Sequence, residues 1–147
     1  MTAKEMWDRF VEQYPEAAAY EYDAWCYGDA SDVLAELTRS GIKTATASAY
    51  PIYELENEQL PETGNYSVVL WSDESAACII RTENVYVTPF RNVSEEQAFR
   101  EGEGDRSLAY WREVHQRFFR KELEHAGLEF SEDMDVVCEE FRVVYTL

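Results

Sequence analysis

Leu-Thr-Arg-Ser-Gly-Ile-Lys-Thr-Ala-Thr-Ala-Ser-Ala-Tyr, residues 37–50, holds one lysine among small residues. In a chain of formal net charge −17, Lys43 is flanked by Gly41, Thr44, Ala45, Thr46, Ala47 and Ser48, so backbone and hydroxyl groups can approach a ligand closely beside a positive charge. That combination marks a candidate site. The plain alternative is a helix end at Ser40-Gly41 followed by a solvated lysine, because glycine commonly supplies the left-handed residue after a helix.

The 147 residues fit one domain spanning 1–147, and 46% of them are hydrophobic, including four Trp, ten Tyr and seven Phe. A chain of that size and composition packs a core. Thirteen Lys and Arg against thirty Asp and Glu give a mean field that repels phosphate backbones. Long duplex nucleic acid is therefore an unfavourable partner, since such binding needs many cationic contacts; a small ligand suits the balance better. Cys26, Cys78 and Cys138 are odd in number and widely spaced, which excludes a disulfide framework and a CxxC metal hairpin and fits a reducing cytoplasm. No apolar run approaches membrane-spanning length, and Lys4, Glu5 and Asp8 in the first turns do not read as a signal peptide.

Thr2 and Glu5 can form a capping box for a helix carrying Met6, Trp7, Phe10, Val11 and Tyr14 up to Pro15. Tyr20 to Gly28 reads as irregular or briefly extended. Asp29 or Ser31 caps a second helix with Val33, Leu34 and Leu37 as its stripe and Gly41 at its end. Residues 45–55 read as a further helix with Pro51 in its first turn, which puts Thr46 and Ser48 near a helix N-terminus. Residues 66–71 and 76–81, the latter continuing into 85–87, form a hairpin. Ser94 starts a short helix, Asp105 caps a long one from Arg106 to about Gly127, and Asp135 to Tyr145 closes the chain as a strand.

Glu101-Gly102-Glu103-Gly104-Asp105 is the second unusual stretch. Three carboxylates at alternate positions can face a divalent cation, but the spacing lacks an EF-hand's downstream glutamate. A helix-capping loop is the more economical account, and neither a metal nor a cofactor is expected. His115 falls on the core-facing stripe of the long helix one turn after Trp111, where a hydrogen-bonded, partly buried histidine is the simpler reading and a ligand-facing one the sharper. His125 suits the helix C-terminus. Neither GxSxG, HExxH, a P-loop nor a dinucleotide fingerprint occurs. Lys43 and Thr46 can converge, and Glu83 at a strand end would complete an acid and base pair.

Gly41-Ile42-Lys43-Thr44-Ala45-Thr46 resembles the GxKxxT signature of the ASCH (activating signal cointegrator homology) family. Trp25-Cys26-Tyr27-Gly28-Asp29, residues 53–56, the Glu83 strand with Pro89-Phe90, the 101–105 loop and Tyr110-Trp111-Arg112 extend the likeness to a bacterial branch of single-domain members. The resemblance implies an α+β fold, a PUA-like β-barrel with flanking helices, to which residues 42–47 would contribute backbone. It also implies nucleoside or RNA chemistry in a cleft. Some small members resemble amidohydrolases acting on N4-acetylcytidine, and others ribonucleases. Carried over, Thr46 is the nucleophile or water-positioning hydroxyl, Lys43 takes its proton or stabilises the oxyanion, and Glu83 shuttles a proton to the leaving amine. Trp25, Gly41, Ser48, Glu101, Asp105, Arg106, Trp111, Arg112 and His115 are the expected ligand contacts. The expected partner is a small nucleoside or nucleotide-like ligand, or short RNA; ribonuclease action and non-catalytic binding stay open as alternatives, and so does oligomeric state.

Overall fold

The computed structural model describes residues 1–147. Its centre is a five-stranded mixed sheet of β1 (Tyr22–Trp25), β2 (Ala45–Ala49), β3 (Tyr66–Leu70), β4 (Ala76–Pro89) and β5 (Asp135–Tyr145), in the order β1-β3-β4-β5-β2. β1 runs parallel to β3, and every other pairing is antiparallel. The helices are α1 (Ala3–Gln13), α2 (Ser31–Arg39), α3 (Tyr50–Glu56), α4 (Glu95–Glu101) and α5 (Leu108–His125), with short 3-10 turns at Pro15–Ala19 and Phe90–Asn92. The α+β class is as expected, but the sheet is not closed into a barrel. β1 and β2 lie at opposite edges and do not pair with each other, and shifts in register at 69/70, 79/80 and 82/84 supply the local bends that bulges introduce.

Alternation along the strands divides the core. Tyr66, Val68 and Ile79 pack on Met6, Trp7 and Phe10 of α1, whose start is the capping box between Thr2 and Glu5. Val69, Cys78, Ile80 and Phe141 turn to the opposite side and enclose Ala35 of α2. A third cluster joins Ala49, Val136 and Cys138 to Ala98 of α4 and to Trp111, Phe119 and Leu123 of α5.

Three local expectations change. Residues 45–49 form a strand because they pair with 136–140 of β5, so long-range ladder bonds override the helical appearance of an alanine-rich run; Pro51 then confines α3 to residues from Tyr50 onward. Thr46 and Ser48 thus stand mid-strand and not at a helix N-terminus. α2 has no side-chain cap: Ala30 occupies that position with φ 46°, while Asp32 accepts from the Ser72 backbone N–H and hydroxyl at 2.8 and 2.7 Å and ties the helix to the hairpin turn. Ser107, not Asp105, caps α5, because Arg106 is left-handed at φ 65° and ends the turn in which Asp105 accepts from the Ser107 N–H.

Phe141 is 1% exposed on the strand that joins β4 to β2. Phe141→Ala is expected to cost about 3–5 kcal/mol by urea denaturation, and a loss under about 1 kcal/mol would show that this part of the core does not hold the sheet together.

Candidate functional site

Lys43 is 1% exposed. The segment before β2 is strapped in place by its backbone: Ile42 and Lys43 N–H both donate to Leu37 C=O at the end of α2, and Thr44 N–H donates to Arg100 C=O at 2.7 Å. This strap turns the side chain inward. Its Nζ reaches Glu103 Oε2 at 3.0 Å, Glu101 Oε1 at 3.3 Å and Glu101 C=O at 3.4 Å, and lies 5.4 Å from the Tyr27 ring centroid. An ammonium has three N–H donors, and three protein acceptors stand around this one.

Glu101 ends α4 and is itself 1% exposed. Its Oε2 accepts from Trp111 Nε1–H and, at 3.1 Å, from Gln97 Nε2–H; His115 Nε2 lies 3.2 Å from Oε1. Burial pushes the Glu101 carboxyl up, but His115, Lys43 and the Trp111 N–H outweigh it and hold the group well below its ordinary 4.5. Gln97 extends the network, because its Nε2 also donates to Thr46 C=O at 3.2 Å while its Oε1 accepts from Tyr86 O–H at 3.1 Å. Lys43 and Thr46 are linked in this way through Glu101 and Gln97. The loop that carries Glu103 depends on its glycines: both have positive φ, and a Cβ on Gly102 would meet Ile42 O at 2.9 Å, while one on Gly104 would meet the Tyr110 ring at 2.5 Å.

These groups close one end of a pocket of about 720 Å³ to which all five strands contribute, through Asp23, Thr46, Ser67, Thr82 and Glu139 among others. Two hydroxyl–carboxylate pairs cross its floor. Ser67 O–H donates to Asp23 at 2.6 Å, and Thr82 O–H donates to Glu139. Burial raises the Glu139 carboxyl above its ordinary range, the Thr82 hydroxyl opposes that, and the charge of Asp23 adds to it. Trp25, Tyr27, Tyr53 and Phe118 give the pocket aromatic walls, and Val33, Leu34 and Leu37, expected to be the core stripe of α2, line it instead; Val33 is 62% exposed.

Of the expected contacts, Trp25, Lys43, Thr46, Ser48, Glu101 and His115 line the pocket, with Ser48 bonded to the Tyr53 hydroxyl, and Trp111 supports it from behind through Glu101. The remaining five lie elsewhere. Glu83 projects from β4 beside Arg142 at 3.5 Å with half its side chain exposed, because consecutive strand residues face opposite sides and its neighbour Thr82 faces the pocket. Asp105 is exposed in its turn, Arg106 stacks on Phe99 at 3.7 Å, Arg112 donates to Arg91 C=O, and Gly41 serves the backbone turn at φ 84°.

Glu139, Asp23 and Glu103 were not anticipated as contacts. The signal for Glu139 was a carboxylate in the middle of the otherwise β-branched closing strand. Glu101, Glu103 and His115 offer ligand atoms within 4.8 Å of one another, but the Lys43 ammonium already stands against both carboxylates and repels a second cation. No helix is long and apolar enough to cross a membrane.

The description "ASCH domain" belongs to the family model that matches residues 23–145. The crystal structure of an ASCH domain from Lactobacillus crispatus is 34% identical, with a TM-score of 0.92 over 97% of this chain and 93% of that one. A protein of Enterococcus faecalis V583 is 38% identical, with a TM-score of 0.88 over 99% and 94%. An ASCH protein of Zymomonas mobilis, 12% identical at a TM-score of 0.50 over 86% of this chain and 73% of that one, shares the fold alone. No curated protein matches the chain significantly.

Removing one partner of a buried ion pair leaves an uncompensated charge, which costs about 3–5 kcal/mol. Lys43→Met and Glu101→Gln are each expected to lose that much in a denaturation double-mutant cycle, and the double variant less than the two losses together; strict additivity would refute the coupling. Because the folded Glu101 carboxyl titrates below its unfolded value, its contribution is complete above pH 4.5 and disappears as pH falls through the folded value. Acid unfolding measured by circular dichroism is therefore expected to flatten in Glu101→Gln relative to the parent.

Proposed function

The chain belongs to the ASCH domain family, and from that premise we propose that its pocket hydrolyses an amide on a small modified nucleoside of the N4-acetylcytidine type. The observation that carries the reading is that Lys43, Thr46 and the half-buried Glu139, the last two paired across neighbouring strands, line one aromatic-walled pocket. Trp25 and Tyr27 offer faces for a base to stack on, as single bases stack on aromatic side chains.

The chemistry follows from those groups. The Thr46 hydroxyl positions a water over the amide carbon. Glu139, whose raised pKa suits both directions of transfer, takes a proton from that water as the C–O bond forms and returns it to the nitrogen as the C–N bond breaks, so that one water is consumed and a free amine and a carboxylic acid leave. Lys43 is better suited to stabilising negative charge on the carbonyl oxygen than to taking a proton, since it is an ammonium surrounded by acceptors. Glu139 replaces Glu83 in the role of proton shuttle.

A single-stranded RNA substrate is the weaker alternative. Seven of the residues lining the pocket are Asp or Glu, and only Lys43 and His115 can carry positive charge there, already beside Glu101. Such a lining disfavours a polyphosphate chain and favours a nucleoside without phosphate. Non-catalytic binding of a nucleoside is the remaining alternative, and it predicts a ligand-dependent rise in melting temperature with no product.

Incubation with N4-acetylcytidine, followed chromatographically, is expected to release cytidine and acetate. Glu139→Gln and Thr46→Ala, folded by circular dichroism, are each expected to lower kcat/KM by about 10²–10⁴. Full activity in Glu139→Gln would remove it from the mechanism, and absence of cytidine from the parent protein would reject the proposed reaction.

A further inference from the structure

His115 is 8% exposed, and nothing in the proposed chemistry uses it. Its ring is stacked on Trp111, centroids 4.2 Å apart at 13°, with the Phe119 ring edge-on at 5.7 Å. Nδ1 lies 2.9 Å from Trp111 C=O. A carbonyl oxygen can only accept, so Nδ1 carries a proton. Nε2 lies 3.2 Å from Glu101 Oε1, and every other group on that carboxylate, from Lys43, Trp111 and Gln97, is a donor. Those three donors, one of them an ammonium, hold the carboxyl ionised, and an ionised carboxylate within hydrogen-bond reach of Nε2 places a second proton on the ring.

From this geometry we infer that His115 is a positioning residue for Lys43: held as an imidazolium by Glu101 and the Trp111 carbonyl, it balances a quartet of two positive and two negative side chains and so fixes the ammonium in the pocket lining. The quartet is Lys43 from the strap before β2, Glu101 from α4, Glu103 from the glycine loop and His115 from α5. Without the imidazolium, two carboxylates share one ammonium, and one of them, Glu101, is almost wholly removed from water. The unprotonated Nε2 then presents a lone pair to Glu101 Oε1, so the carboxylate moves away from it and onto Lys43. The amine that faces the pocket thus owes its placement to a ring that acts on it only through Glu101.

The groups facing His115 agree on the direction. Burial alone disfavours the charged ring, but the Glu101 charge and hydrogen bond, the Glu103 charge and the Trp111 carbonyl together raise its pKa above 6.5. Lys43 opposes them from across Glu101. Asp23, Asp29, Glu58, Glu122 and Glu139 line the same pocket, and negative charge there favours the imidazolium. With the folded value above the unfolded one, the stabilisation is complete below pH 6.5 and is lost as pH rises through the folded value.

His115 and His125 are the only histidines, and His125 ends α5 outside the pocket, so a His125→Asn background leaves one ring to observe. Long-range ¹⁵N–¹H spectra of that protein are expected to show both ring nitrogens protonated at pH 6, a midpoint above 6.5, and a Lys43 ¹³Cε signal that moves with the same midpoint. A neutral tautomer at pH 6, a midpoint at or below 6.5, or a Lys43 signal indifferent to the ring would each overturn the inference. His115→Gln keeps an N–H donor without the charge, and it is expected to abolish the fall in thermal stability above pH 6.5 that is expected of the parent; an unchanged slope would also overturn it. These measurements need no turnover, so they stand or fall apart from the proposed amide hydrolysis. Where turnover is measured, His115→Gln is expected to move the pH profile of kcat with little change in KM, whereas a KM effect alone would assign the ring to substrate contact and contradict the positioning role.

Discussion

Burial of one ammonium organises this molecule. Taking an unpaired charge out of water carries a penalty of several kcal/mol even after relaxation, and Lys43 is among the largest side chains that the fold encloses completely. The elements around it supply what such a charge requires. α4 ends so that the side chain and the last carbonyl of Glu101 both face Nζ, two left-handed glycines bring Glu103 back to the same point, and α5 delivers Trp111 to the far oxygen of Glu101. The interdependence is geometric as well as electrostatic, because Gly102 lies against Ile42, the residue just before the lysine.

The position of β2 follows from the same constraint. This strand is only five residues long and pairs on one side alone, an arrangement with few ladder bonds to hold it. Gln97 bonds its Thr46 carbonyl from one side, Arg100 holds the preceding Thr44, and Ala49 packs into the cluster formed with α4 and α5. An edge strand tied to helices in this manner is covered against pairing with another chain, and it holds Thr46 in fixed relation to the buried lysine. β1, at the opposite edge, lines the same pocket through Asp23 and Trp25. A closed barrel would bring these two edges together and remove the space between them.

Local features were legible in the sequence and tertiary ones were not. The capping box at Thr2 and Glu5, the hairpin around 72–75, the cap at Ser94 and the closing strand from Asp135 to Tyr145 all depend on residues within a few positions of one another. Residues 45–49 read as helix in sequence because alanine and serine carry little β preference of their own, and a partner strand about 90 residues later decides their conformation. The prominence of Lys43 was visible at once, as a lone lysine among small residues, but its 58-residue separation from Glu101 hid the reason. Glu83 and Glu139 show the same limit at a finer scale. Facing alternates along a strand, so Glu83 points away from the pocket that its neighbour Thr82 shares with Glu139, and spacing alone does not say which face of β4 lines a pocket.

The lysine's structural role restricts its chemical one. All three directions of its ammonium already have acceptors, two from the buried Glu101 and one from Glu103. A ligand oxygen can gain a hydrogen bond from Lys43 only by replacing one of them. Glu101 is held by Trp111, Gln97 and His115 and has nowhere to go, whereas the Glu103 side chain is 16% exposed and Lys43 is its one bonded partner. Glu103 is therefore the acceptor that gives way at least cost. Its displacement would remove a negative charge from beside the lysine, so the positive potential there would strengthen.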